Sequence, residues 1–301
     1  MPAHRSVTIL ALAILTACVA GCGGGAPAGG RLRVVAAENF WGSIASQLAG
    51  SKASVASVIV DPDTDPHSYD PTPADARAFA GAGLAIVNGI GYDGWASKLV
   101  SANPLKGRIS LDVGALLGRH AGENPHQWYS PAAVTRVAGA IAADLSRLDP
   151  RDRRYFQARA RNFKTHSLAA YHALIASIRR RFHGVAVGYS ESIFEPLGEA
   201  LGLRLLTPPG FAKAIAEGTE PTAAETETVE RQAQRRQISV WVFNSQNVTP
   251  DVQRVNRLAR AAGIPIATVT ETLSPASDSF EQWQVAELRT LERALARASK
   301  R

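Results

Sequence analysis

From residue 31 onward, short β-branched and apolar runs alternate with longer amphipathic ones. Runs at 32–36, 53–60, 84–88 and 108–111 have the length and composition of buried strands. Between and after them, helical spacing covers 40–49, 72–81, 95–102 and 131–148. Pro131 follows Ser130, the arrangement of a capped first turn. Residues 151–182 contain no proline or glycine. Tyr155, Phe156, Phe163, Leu168, Tyr171, Leu174 and Ile178 recur there at roughly helical intervals. About 32 residues at ~1.5 Å each predict a helix ~48 Å long. After His183-Gly184 the alternation resumes, with strands at 185–189, 204–206, 238–243 and 266–269. Helices are expected at 194–201, 222–237, 250–262 and 279–298. The pattern predicts an α/β protein of two lobes, each a mostly parallel sheet flanked by helices, joined by one long backbone helix. A cleft between the lobes is the expected binding site.

Residues 1–30 do not follow this pattern. Arg5 precedes an apolar stretch from Val7 to Ala20, too short to span a bilayer and of the form of an export signal. Val19-Ala20-Gly21-Cys22 resembles a bacterial lipobox, whose cysteine is acylated and becomes the first residue of the mature chain. Leu15-Thr16-Ala17-Cys18 fits the same pattern. Cys22 is preferred because it allows a longer apolar region and precedes a Gly-rich run, which behaves as a flexible tether. The expected organisation is a signal at 1–21, a tether at 22–30, an N-terminal lobe at 31–149, a linking helix at 150–182 and a C-terminal lobe at 183–301.

Cys18 and Cys22 are the only cysteines, which excludes a disulfide scaffold, a thiolate zinc site and a catalytic thiol within the lobes. The 33 basic and 26 acidic residues give a net charge of +7. Its short basic runs, such as Arg179-Arg180-Arg181, are scattered along helices as solvated faces, so no nucleic-acid partner is expected.

Candidate chemistry lies in loops that follow strands, where open α/β sheets place their ligands. The loop 61–73 carries alternate aspartates, but Pro66 and Thr72 stand where a calcium loop needs Gly and Glu. His67 is its metal-ligand candidate. His126, in Asn124-Pro125-His126-Gln127-Trp128, has a similar setting before a capped helix. Gly89-Ile90-Gly91-Tyr92-Asp93-Gly94 mimics a dinucleotide fingerprint, but on the third strand and with a carboxylate where the pyrophosphate would lie. Gly188-Tyr189-Ser190-Glu191-Ser192 resembles a nucleophile elbow without its last glycine. Glu191 and Glu271 each follow a second-half strand. Four strand-end loops, two per half, thus offer one candidate ligand each.

Taken together, these residues resemble the solute-binding lipoproteins of bacterial ABC importers for divalent transition metals, the zinc/manganese cluster. His67-Ser68-Tyr69-Asp70-Pro71-Thr72-Pro73-Ala74-Asp75 is similar to the family pattern H-x-Y-E-P-T-P-x-D. Asn88 to Trp95 resembles N-G-x-G-x-E-x-W, Asn124 to Trp128 resembles D-P-H-x-W, and Glu220-Pro221-Thr222 resembles E-P-S. The resemblance implies metal ligation by His67, His126, Glu191 and Glu271. Glu271 stands where the family usually has Asp followed by Ser, so Asp278 is the alternative fourth ligand. It implies a non-enzymatic, monomeric binder, held to the membrane through acylated Cys22 on the outer face of the bacterial cytoplasmic membrane. Its partners would be an ABC permease and its ATPase, and its cargo Mn2+ or Zn2+, with Fe2+ also compatible. A siderophore- or cobalamin-type binder of the same architecture and an exported zinc hydrolase are the alternatives.

Overall fold

Four parallel strands form each of two sheets in this computed structural model, which describes residues 31–300 apart from Asp63, Asp65 and His67. The signal and tether expected before residue 31, with Cys18 and Cys22, lie outside the described residues. The first sheet contains β1 (Leu32–Glu38), β2 (Ala53–Ile59), β3 (Leu84–Val87) and β4 (Ile109–Asp112), in the order β2-β1-β3-β4. The second contains β5 (Ala186–Tyr189), β6 (Arg204–Leu205), β7 (Val240–Asn244) and β8 (Ile266–Val269), in the order β6-β5-β7-β8. The halves share no evident sequence repeat, yet their sheets have the same topology. In each, the chain moves outward from its first strand and then crosses to that strand's other side. That reversal makes a switch point, where helices diverge and leave a crevice at the carboxyl ends.

All β3 and β5 residues are buried, as expected for strands covered on both faces. The largest core cluster runs through both lobes: Phe40, Trp41, Trp128 and Tyr129 from the first join Phe280 and Trp283 of the C-terminal helix. Phe40 stacks on Trp128 with ring centroids 4.0 Å apart.

Two expectations need correction. The long linking helix is present, but it is not uniformly α-helical. It consists of helices Arg153–Asn162 and Ala169–Phe182 joined by a π-turn at Phe163–Ser167. Phe163 and Leu168 are both buried. Five residues apart on an α-helix, they would point about 140° away from each other. The wider turn, closed by Leu168 N–H on the Phe163 carbonyl at 2.9 Å, returns both to the core. The second correction is the helix Pro209–Ala216, which the hydrophobic pattern did not predict. Its Pro208-Pro209-Gly210 start looks like a loop, but Phe211, Ala212, Ile215 and Ala216 bury one face.

The family-like motifs are partly structural devices. Thr72 and Asp75 form a reciprocal cap on the helix Pro73–Ala80, and Tyr69 donates a 2.9 Å hydrogen bond to Asp75. Thr222 and Glu225 cap the helix Ala223–Gln234 in the same way, while Glu220 is exposed.

Candidate metal centre

The carboxyl ends of the two sheets face each other. His126 enters from a loop of the first lobe, just before the short turn Gln127–Tyr129. Glu191 follows β5, and Glu271 lies two residues beyond β8. One donor atom from each of the three lies within 4.8 Å of the others, and all three residues are buried. His126 Nε2 stands 3.5 Å from Glu271 Oε1. Glu271, rather than Asp278, is the carboxylate that meets His126 and Glu191. His67 lies outside the described residues. His120, His166 and His183 are exposed, and His172 is partly so.

Several residues not singled out in the sequence hold this cluster. Asn244, the last residue of β7, donates through Nδ2 to Glu191 (3.1 Å to Oε1) and to Glu271 Oε1 (3.2 Å). Asn247 donates to Glu191 Oε2 at 3.1 Å. Gln246 Oε1 accepts the backbone N–H groups of Glu271 (2.6 Å) and Thr272 (3.1 Å). Tyr92 reaches across from the first lobe and donates to Glu271 Oε2 at 2.9 Å. The available signal for Asn244 was its position, a polar residue ending an apolar strand. Tyr92 carried no comparable mark.

Glu38 was also missed. It ends β1 beside the first lobe's switch point, and its carboxyl is fully buried next to Asp93. Burial pushes its carboxyl well above the ordinary range, and the charges of Asp93 and Glu271 add to the effect. Burial likewise pushes Glu191 well up, reinforced by neighbouring Glu271. His126 moves the other way: burial lowers it to about 4, so it is a neutral imidazole at physiological pH. Two adjoining buried carboxylates and a neutral imidazole form an electron-rich cluster that a divalent cation would neutralise. Donor atoms within 4.8 Å of one another have the spacing that a single bare ion needs.

The two motif mimics resolve locally. Asp93 accepts the N–H groups of Asn88 (2.6 Å) and Gly89 (2.8 Å), consuming amides that a phosphate would need. Ser190 Oγ accepts the N–H of Asn244 at 3.1 Å and so braces β5 against β7.

The fold is that of a two-lobed binding protein with its site between the lobes. A profile of ZnuA, the periplasmic component A of a zinc-uptake complex, matches residues 34–294, and the chain belongs to that family. The manganese ABC transporter substrate-binding lipoprotein PsaA of Streptococcus mitis is 28% identical over 279 residues, 86% of each chain. The manganese-binding lipoprotein MntA of Halalkalibacterium halodurans is 28% identical over 207 residues, 65% of this chain and 67% of the relative. Among solved structures, the manganese-bound periplasmic metal-binding protein of Candidatus Liberibacter asiaticus aligns with TM-score 0.72 and 18% identity, covering 88% of this chain and 99% of that one. The protein FpvC of P. aeruginosa in complex with Ni2+ gives TM-score 0.70 and 21% identity, covering 89% and 98%. These structural likenesses bear on the fold.

Proposed function

We infer that the protein is the extracytoplasmic solute-binding component of an ABC importer. It captures a divalent transition metal between its lobes and delivers it to a membrane permease driven by an ATPase. The observation that carries this reading is the buried meeting of His126, Glu191 and Glu271 at the strand ends of both lobes. His67 is the fourth ligand, from the loop after β2. Two imidazoles and two carboxylates balance a 2+ charge and suit Mn2+ or Zn2+, with Fe2+ also compatible. The family is one of substrate-binding transporter components, and the protein acts by capture and release, not by catalysis.

The mature chain starts at acylated Cys22, after loss of 1–21, and the tether 22–30 holds it on the outer face of the bacterial cytoplasmic membrane. It works as a monomer, with lobes 31–149 and 183–301 on the helical segment 150–182. The lipobox-like Val19-Ala20-Gly21-Cys22 and the lipoprotein names of the relatives support the anchor. Among the described residues, no helix is long and apolar enough to cross a membrane.

The test is metal content and thermal melting of the purified protein with Mn2+, Zn2+ and Fe2+. A metal at a thousandfold excess over its Kd stabilises the fold by ~4 kcal/mol. His67→Ala, His126→Ala, Glu191→Ala and Glu271→Ala each reduce that gain, and Asp278→Ala leaves it. Absence of a shift with all three metals overturns the reading.

A further inference from the structure

The side-chain amide of Asn124 lies between the lobes, and its partners determine which way it points. Its Nδ2 is 2.7 Å from the Ser192 carbonyl and 2.9 Å from Glu195 Oε2. A carbonyl only accepts, so the atom beside it must carry the amide hydrogens. Its Oδ1 therefore faces His126, 3.0 Å from the backbone nitrogen and 2.8 Å from Nδ1. An amide oxygen has no hydrogen to give, so ring nitrogen Nδ1 must supply one. Ser192 Oγ makes a longer contact, 3.4 Å, with the same nitrogen. Glu195 is held in turn by Tyr189, whose hydroxyl donates to Oε1 at 3.1 Å. The chain Tyr189–Glu195–Asn124–His126 thus passes from the second lobe to the first. It starts from the segment that carries Glu191.

We propose that Asn124, oriented by Glu195 and the Ser192 carbonyl, is a positioning residue that sets His126 as its Nδ1–H tautomer. The lone pair of Nε2 then faces Glu271, where a cation would bind. A carboxylate in place of this amide would accept from Nδ1 equally well but would offer no hydrogen to Glu195 or Ser192. The amide therefore does two things at once: it orients the imidazole and ties that ligand to the opposite lobe. Outer partners of this kind govern metal affinity by orienting the ligand and setting its basicity. The purpose of the relay rests on the metal-capture reading, whereas the tautomer is a property of the metal-free protein.

The tautomer is read in metal-free, 15N-histidine-labelled protein from two-bond 15N–1H correlations. The expected result is a protonated Nδ1 and a lone-pair-bearing Nε2 on His126, with added Zn2+ perturbing Nε2. Asn124→Ala should mix the two tautomers and weaken zinc binding by roughly tenfold to a hundredfold. Asn124→Asp should keep the tautomer but lose affinity, because the introduced carboxylate faces Glu195. Adding Glu195→Gln to that variant restores a donor and should recover part of the loss. A hydrogen on Nε2 in the native protein overturns the proposal, as does an Asn124→Ala protein that keeps both tautomer and affinity. If the native protein binds none of Mn2+, Zn2+ and Fe2+, the metal-capture reading fails, and the tautomer measurement still decides the role of Asn124.

Discussion

The Tyr92 hydroxyl of the first lobe donates a 2.9 Å hydrogen bond to Glu271 Oε2 of the second. Tyr92 is buried and packs against Trp128, with ring centroids 5.0 Å apart. The bond therefore joins an aromatic wall to a proposed ligand across the cleft. Tyr92→Phe keeps the wall and removes only the donor. Stability of the metal-free protein should fall by about 1 kcal/mol, whereas metal affinity should fall by roughly tenfold or more. Calorimetric titration alongside denaturant unfolding separates the two effects.

Metal capture should release protons. Burial and Glu271 raise the Glu191 carboxyl well above its ordinary range, so the metal-free protein holds a proton there at pH values where a solvated glutamate would not. A bound cation requires the carboxylate, so affinity should increase as pH rises through that raised range. His126, lowered to about 4, should contribute little to the release above pH 5. Titration calorimetry in buffers of different ionisation enthalpy measures the protons released per metal.

Glu287 should make the fold more stable in mild acid than in mild base. Tyr129 Oη is 2.8 Å from the Thr270 carbonyl and 2.7 Å from Glu287 Oε2. One hydroxyl hydrogen cannot serve both, and the carbonyl has none to bring, so Glu287 supplies the second. Burial agrees, pushing its carboxyl from 4.5 up to about 8. A folded-state value above the unfolded one gives stability that is fully present below about pH 4.5 and is lost as pH rises through about 8. The slope between these limits is up to about 1.4 kcal/mol per pH unit. Glu287→Gln should flatten this part of the profile, as followed by urea unfolding at a series of pH values.

Gly89 has φ +71°, and a Cβ built there would lie 2.4 Å from Asp112 Oδ1. Asp112 cannot simply swing away, because the same oxygen caps the helix Val113–Leu117 by accepting from Ala115 N–H at 2.9 Å. Gly89→Ala should therefore destabilise the protein by about 1–3 kcal/mol. A lowered urea midpoint with an unchanged slope would be the sign of a purely local cost.

Much of the fold was legible from local patterns. The helix Pro131–Leu148 was readable to the residue because Ser130 caps it and Pro131 occupies the first turn, both local effects. β8 was equally clear as an apolar run. The π-turn at Phe163–Ser167 was not, because its cause is that Phe163 and Leu168 must both meet a core that the local pattern does not contain. The helix Pro209–Ala216 was hidden for a related reason: its local start signals indicate a loop, and tertiary burial outweighs them.

The site divides along the same line. By itself the sequence determined which strand-end loops carry imidazoles and carboxylates, since strand ends follow from hydrophobic period and donor type from residue identity. It could not choose between Glu271 and Asp278, and only the tertiary structure brought the former against His126 and Glu191. Nor could it reveal that Asn244, Tyr92 and Asn124 serve the same cluster, or that Glu38 lies buried near it. The physical reason is one of range. Capping and periodicity act over a few residues, whereas these side chains meet because two separately formed sheets place their carboxyl ends face to face.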